Sequence, residues 1–366
     1  MQPAAASDAR LAAPDALRGL ALLLIACVNA WLILAPAQPE AWAAPAWSAG
    51  LDLHVLRVLF VGKGLALFAF LFGWGFAVLL DRGVTASRYA RRMAVLAAIG
   101  VLHGALIWHG DILLPYAVLG LVLLGFREAP VRLIVAAALL ALAVPVIVWA
   151  LLAAAAALEI LGGDVLAAVE MAPAGLLGHY ARILAYGWTI LGCMLLGLAA
   201  ARTNLFRDAV PGWRAWRTAA VLGALLGIPF SVLYSVLSGP AAHSSTLLSA
   251  ALLAASGPLI AALYAAAVAR LAPPDRRAPY LLRMLASAGR LPLTNYLGQS
   301  VILVTLAALG LRGGVGPPGA IGIGAAVLVV QIIASRAWLG WFSTGPIEAL
   351  WRWASSGNRP VMRRER

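Results

Sequence analysis

Residues 56–92 read LRVLFVGKGLALFAFLFGWGFAVLLDRGVTASRYARR, and the fold class follows from them. Positions 56–80 form an apolar run long enough to cross a bilayer, because a helix rises about 1.5 Å per residue and the hydrocarbon core is about 30 Å thick. The segment that follows carries Arg82, Arg88, Arg91 and Arg92. An apolar span ending in clustered arginine has the charge signature of a helix end at the cytoplasmic face.

The same alternation runs through the chain. Apolar runs at 15–36, 56–80, 93–109, 114–126, 131–158, 176–200, 218–238, 247–269, 291–311 and 319–338 are joined by short connections, which makes ten spans. With the N-terminus in the cytoplasm, that side receives Arg10, Arg18, the arginines of 82–92, Arg127, Arg132, the arginines of 202–217, those of 270–290 and those of 336–366. These are 23 of the 27 cations. Arg57, Lys63, Arg182 and Arg312 fall on the other side. The expected fold is an all-α polytopic membrane bundle of about ten transmembrane helices with both termini cytoplasmic. It is a single membrane domain over 1–366, with an N-terminal tail at 1–14 and a C-terminal cytoplasmic tail at 339–366.

Composition agrees. Only 11% of the residues are charged and 63% are hydrophobic, where a soluble domain has about a quarter charged. The net charge of +13 is what remains when arginine collects at cytoplasmic helix ends beside anionic lipid, so membrane lipids are the expected partners and nucleic acid is not. Cys27 and Cys193 both fall inside spans, which argues against a disulfide framework or a zinc site, and no metal is expected. The triplet Ala35-Pro36-Ala37 after the first run imitates a signal-peptide cleavage site, but proline inside it is unfavourable and the run reads as an anchor. No internal repeat is evident. The sequence leaves oligomeric state open.

The few polar residues in the spans each have two readings. Asp15 and Arg18, three apart on one helical face, form an ion pair, or Asp15 simply meets the positive end of the helix dipole. Asn29 lies about three turns into the first span, where an amide either joins helices or meets a ligand. Lys63, the chain's lone lysine, either snorkels outward or, with Arg57 below the same surface, holds a phosphate or carboxylate. His103 stands near mid-membrane, either bonded to another helix or handling a proton. Asp111 either caps the following helix or orients a histidine base, His103 or His109. His103 and Asp111 are eight residues apart, roughly 12 Å along a continuous helix. Contact between them requires the Gly110 turn to fold Asp111 back, or a bridging water. His179, Arg182 and Tyr186 read as interfacial anchors or as part of the same vestibule. Asn295 and Gln299 share a face of the ninth span, and Glu348 and Arg352 form an i,i+4 pair on a short cytoplasmic helix.

These stretches resemble the YeiB-like family of bacterial multipass membrane proteins, a family of unknown function. The matching pieces are Asp15-Ala16-Leu17-Arg18-Gly19 with Val28-Asn29, and Lys63 followed by Leu67-Phe68-Ala69-Phe70-Leu71-Phe72-Gly73. His103-Gly104 with Gly110-Asp111-Ile112-Leu113 and Tyr116 comes next. Gly289-Arg290 with Leu293-Thr294-Asn295-Tyr296 and Gln299, then Gly345-Pro346-Ile347-Glu348 with Leu350-Trp351-Arg352, complete the series. Gly64 departs from the pattern, in which an aromatic follows the lysine, and such a change would widen a pocket. His109 stands where the pattern does not restrict the residue to histidine.

More distantly, the opening Asp-x-x-Arg-Gly helix is similar to that of transmembrane acyltransferases, which take an acyl group from a cytoplasmic thioester and deliver it across the membrane. That resemblance implies acyl-CoA, such as acetyl-CoA, as donor and a small-molecule, lipid or glycan acceptor. The catalytic residues expected are His103, with His109 as the substitute, and Asp111. The ligand-binding residues expected are Asp15, Arg18, Asn29, Arg57, Lys63, Tyr116, Arg290, Asn295, Tyr296 and Gln299. The competing readings are a small-solute or lipid transporter built from the same residues and a non-catalytic membrane protein.

The charge map makes a testable statement. Reporter fusions after Arg92, Arg217 and Arg283 are expected to report cytoplasm, and fusions near Gly50, Asp111 and Gly239 the opposite side; reversal at two or more sites would overturn the map.

Overall fold

A backbone in hydrocarbon has to satisfy its own N–H and C=O groups, and a helix does so within one segment. The computed structural model describes residues 12–35, 50–158, 186–206, 209–238, 244–273, 277–356 and 362–363. Among them the regular elements are all helical, apart from one isolated bridge between Phe342 and Arg363.

In chain order they are α1 (Ala12–Leu34), α2 (Leu51–Leu59), α3 (Lys63–Asp81), α4 (Ala86–Leu106), α5 (Leu113–Val122) and α6 (Val131–Ala157). There follow α7 (Gly187–Arg202), α8 (Ala209–Leu222), α9 (Ile228–Leu237), α10 (Ser244–Leu271), α11 (Tyr280–Gly289), α12 (Pro292–Leu306), α13 (Pro317–Trp341) and α14 (Pro346–Ser356). Seven segments among the described residues are long and apolar enough to cross a membrane: Ala12–Leu34, Leu51–Asp81, Val131–Ala157, Gly212–Leu237, Ser245–Leu271, Pro292–Leu311 and Pro317–Trp341. Leu113–Phe126 and Gly187–Arg202 are shorter apolar helices. The protein is an integral membrane helical bundle. Leu140, Leu151, Leu225 and Ile333 are exposed on its outer faces, where lipid rather than water is their natural surrounding.

The bundle is assembled around α1, which packs on α3, α11, α12 and α13. Its closest crossing is with α11: a Cβ at Gly19 would lie 2.1 Å from the Leu285 carbonyl oxygen, and one at Gly289 would lie 1.9 Å from that of Asp15. Only glycine on both helices permits this approach, and it sets the neighbouring Arg18 and Arg290 at one end of the bundle. Cys27 and Cys193 are buried free thiols, core residues as expected.

Several boundaries differ from the sequence reading. The run at 93–109 is a helix that begins at Ala86 behind the Thr85 cap and ends at Leu106, so His109 lies in the turn beyond it. The run at 218–238 contains a π turn at Gly223–Gly227, and the run at 291–311 ends in another at Ala307–Leu311. Of the run at 176–200 the described part is α7 with Tyr186 before it; His179 and Arg182 lie outside the described residues. The stretch treated as a C-terminal tail contains α14, which packs on α4 and α12.

The largest difference is at 56–80, which is two helices instead of one. The chain breaks at Phe60-Val61-Gly62, where Gly62 adopts a left-handed φ of 81° that costs glycine little. Breaking a helix inside the bundle strands its last carbonyls. Each of three is met by a side chain: Lys63 Nζ donates to Arg57 O at 3.0 Å, Ser231 Oγ to Val58 O at 3.1 Å and Tyr264 Oη to Leu59 O at 3.0 Å. Lys63 also donates to Ser231 Oγ at 2.8 Å and is fully buried, so it does not snorkel. Arg57 in turn donates to the carbonyls of Ser235 and Ser238 at 3.2 Å each. Both cations therefore tie the α2–α3 break to α9.

Lys63→Met is expected to destabilise the protein by about 1–3 kcal/mol, the cost of a buried acceptor left without its donor. A thermal midpoint in detergent equal to the wild type would show that the Arg57 carbonyl is satisfied another way.

Candidate functional site

The α4–α5 connection decides the site. After α4 ends, Gly110 turns the chain so that Asp111 comes back against the helix it has just left. His103 Nδ1 lies 2.9 Å from Asp111 Oδ1, in a pair that is 2% and 0% exposed. The second carboxylate oxygen accepts the Leu114 N–H at 3.0 Å and caps the first turn of α5. Both readings of Asp111 hold at once, one per oxygen. With the carboxylate accepting, His103 carries its proton on Nδ1 and presents a lone pair at Nε2. That nitrogen is buried without a hydrogen-bond partner among the described residues. Gly100 makes room for the arrangement, since a Cβ there would meet Asp111 Oδ2 at 2.8 Å.

Tyr296 of α12 stands against this pair, its ring centroid 5.5 Å from that of His103 and its hydroxyl accepting the Ile112 N–H at 3.2 Å. It lines two cavities. One, of about 420 Å³, lies at the end of the bundle that carries Gly62 and Trp108, and its walls include Asn29, Gly64, His109 and Ile112. Gly64 both lines it and seats α1, since a Cβ there would lie 2.9 Å from that of Leu24. The other, of about 270 Å³, lies at the end where α4, α12 and α14 begin. Arg18, Arg92, Arg290 and Arg352 line it together with Tyr116 and apolar side chains of α3. Tyr116 is held there by donating to Leu65 O at 2.7 Å.

Arg18 pairs with Asp15 at 2.7 Å, as the spacing suggested. Asn295 serves the helix corner: its amide donates to Ala288 O at 2.9 Å and to Ser335 Oγ at 3.0 Å. Gln299 is fully buried, and neither atom of its amide has a hydrogen-bond partner among the described residues. Lys63 and Arg57 line neither cavity. Of the residues singled out from the sequence, Arg18, Tyr116 and Arg290 line the smaller cavity, Asn29 and His109 the larger, and Tyr296 both, while His103 and Asp111 are buried behind Tyr296 and Lys63 and Arg57 stand at the α2–α3 break.

It also missed residues. Glu348 was read as half of an i,i+4 pair, yet its Oε1 accepts the N–H groups of Leu293 at 2.7 Å and Thr294 at 3.1 Å, and its Oε2 accepts Thr294 Oγ1 at 2.5 Å. A carboxylate from α14 is therefore the N-terminal cap of α12, the helix that carries Tyr296. Trp351 donates from Nε1 to Arg92 O at 2.7 Å and lies under the Arg92 guanidinium at 4.2 Å. Pro292 at the first turn signalled a helix start at 292 that needed a cap, but nothing local said that the cap would come from position 348.

A helical membrane protein with a buried histidine–carboxylate pair beside the wall between two cavities is the class that this fold and site define. The chain belongs to the YeiB-like family. Residues 200–358 match the family described as Protein of unknown function (DUF418). The uncharacterized protein YxaH of Bacillus subtilis (strain 168) is 30% identical over 97% of this chain and 96% of its own length. The uncharacterized protein YeiB of Escherichia coli (strain K12) is 31% identical over 92% and 94%. An uncharacterized 39.9 kDa protein of Bacillus acidopullulyticus is 28% identical over 95% and 94%.

Removing the Glu348 carboxylate orphans three donors at the head of α12. Glu348→Ala is expected to lower stability by about 2–3 kcal/mol, at the upper end of cap losses. Glu348→Gln should recover only part of this, because an amide keeps one acceptor oxygen; midpoints in detergent for the three proteins test the order.

Proposed function

We propose that this chain crosses the inner membrane of a bacterium ten times, as one domain with both termini in the cytoplasm, and acts as an acyltransferase-like enzyme. The reading rests on one observation: the His103–Asp111 pair, with Nε2 of His103 unbonded among the described residues, packs against Tyr296, which borders cavities at both ends of the bundle. In this orientation the arginine-lined cavity opens toward the cytoplasm and receives the acyl thioester, for which acyl-CoA is the donor. The other cavity receives a small-molecule, lipid or glycan acceptor, with Asn29 and His109 in its wall.

The chemistry follows from the parts. His103 Nε2 takes the proton of an acceptor hydroxyl or amine as that atom attacks the thioester carbonyl. The C–S bond then breaks, and the departing sulfur takes the proton back from the imidazolium. Asp111 holds the imidazole in the tautomer this needs and stabilises its charged form. Displacement of the Tyr296 ring is the step that admits both reactants to His103. His109, in the turn beyond α4, is a cavity-wall residue in this scheme.

Transport is the second reading, and Tyr296 favours it too: a side chain bordering two cavities at opposite ends of a bundle is also how a gate is built. Purified protein incubated with acetyl-CoA or a longer acyl-CoA, with membrane extract as the source of acceptor, is expected to release free thiol. His103→Ala should lower that rate by about 10²-fold or more. Asp111→Asn should lower it as well, because an amide that keeps its oxygen on the Leu114 N–H turns its NH2 toward Nδ1 and moves the imidazole proton to Nε2. Turnover that survives in both variants removes the proposed site, and a wild type that never turns over a thioester moves the assignment to transport.

A further inference from the structure

The arginine-lined cavity is chemically unusual for the inside of a membrane bundle. Four guanidiniums line it, from four separate elements of the fold: Arg18 on α1, Arg92 on α4, Arg290 at the end of α11 and Arg352 on α14. Two carboxylates lie close by. Asp15 pairs with Arg18, and both oxygens of Glu348 accept hydrogen bonds from the head of α12. The remaining wall is apolar and aromatic, with Phe68, Phe72 and Phe76 of α3 prominent. Arg352 is exposed and Arg18, Arg92 and Arg290 are half-buried, so an anion reaching this cavity meets four guanidiniums together.

The Arg92 guanidinium is also placed rather than loose. Trp351 holds it from beneath by a cation–π contact at 4.2 Å and fixes the backbone beside it through the indole N–H. The same α14 turn then presents Arg352. Guanidinium forks suit the oxygens of a phosphate better than any other biological anion, and an aromatic wall suits a chain of methylenes.

We propose that this cavity is a binding site for a phosphate-bearing amphiphile, with Arg92 and Arg352 as the clamp on the phosphate and the α3 aromatic wall as the seat of the apolar chain. The site stands independently of the transfer chemistry proposed above. Two sources share the required chemistry: a soluble acyl nucleotide such as acyl-CoA, and an anionic phospholipid entering from the adjoining leaflet.

Binding to the full-length protein in phosphatidylcholine nanodiscs separates them, with palmitoyl-CoA as one probe and phosphatidic acid as the other. The wild type is expected to bind at least one of them saturably, more weakly as salt rises. The Arg92→Gln, Arg352→Gln double variant should bind at least about 10²-fold less well, since each charge-assisted contact is worth about a factor of ten or more. Gly75→Leu provides a control that leaves every arginine in place. Gly75 lines the cavity, and a Cβ there meets nothing within 4 Å, so a leucine side chain starts from open space and projects into the cavity. It should abolish binding of the amphiphile at an unchanged thermal midpoint. Palmitoyl-CoA binding that weakens in both variants assigns the soluble donor. Phosphatidic acid binding that does so, with palmitoyl-CoA inert, assigns the lipid and removes the donor reading while the site remains. Binding of neither probe to the wild type, or binding that both variants retain, overturns the proposal.

Discussion

A helix end placed inside a membrane bundle exposes backbone groups that no water reaches, and this protein is organised around three such ends. The last carbonyls of α2 are met by Lys63, Ser231 and Tyr264. The Leu114 amide in α5's opening turn is met by Asp111, and the Leu293 and Thr294 amides of α12 by Glu348. In a soluble protein each of these ends would be left to solvent at little cost. In hydrocarbon an unmet group costs several kcal/mol, so charged side chains that composition would otherwise forbid become structurally required.

The placement of those ends is what gives the protein an interior. α5 is a short apolar helix and α12 begins at a corner after α11, and the first turns of both pack within the bundle. The caps bring carboxylates with them, and a carboxylate has two oxygens. Asp111 uses one on α5 and one on His103; Glu348 uses both on α12 while its own helix supplies Trp351 and Arg352 to a cavity wall. Structural necessity and candidate chemistry thus share the same atoms.

Much of the architecture was legible because lipid imposes a simple rule. Apolar length anticipated the long apolar helices, and the glycine-flanked motifs around Arg18, His103 and Arg290 fall on helices that pack in the interior. What failed to show was everything depending on a partner far away in sequence. Lys63 reads from the sequence as snorkelling or as holding an anion, whereas its ammonium is buried and bonded to the Arg57 carbonyl and Ser231 across the helix break. Glu348 looked local because Arg352 stands at the right spacing, whereas its partners are 54 and 55 residues earlier. Hydropathy also smoothed over the break at Gly62, since a broken span and a continuous one carry the same apolar residues.

His103 shows how far geometry reaches toward mechanism. An imidazole in hydrocarbon needs a partner at one nitrogen to fix its tautomer, and Asp111 supplies it because Gly110 reverses the chain and Gly100 leaves space for the carboxylate. With the proton fixed on Nδ1, the lone pair at Nε2 is aimed by the same contact that positions α5. The carboxylate that holds the imidazole is also the one that caps Leu114 at the start of α5. Through Ile112, whose N–H is bonded to the Tyr296 hydroxyl, that terminus also touches the residue that borders both cavities. The imidazole and the tyrosine that borders both cavities are thus held by the same short segment, Asp111 and Ile112, through hydrogen bonds on adjoining residues.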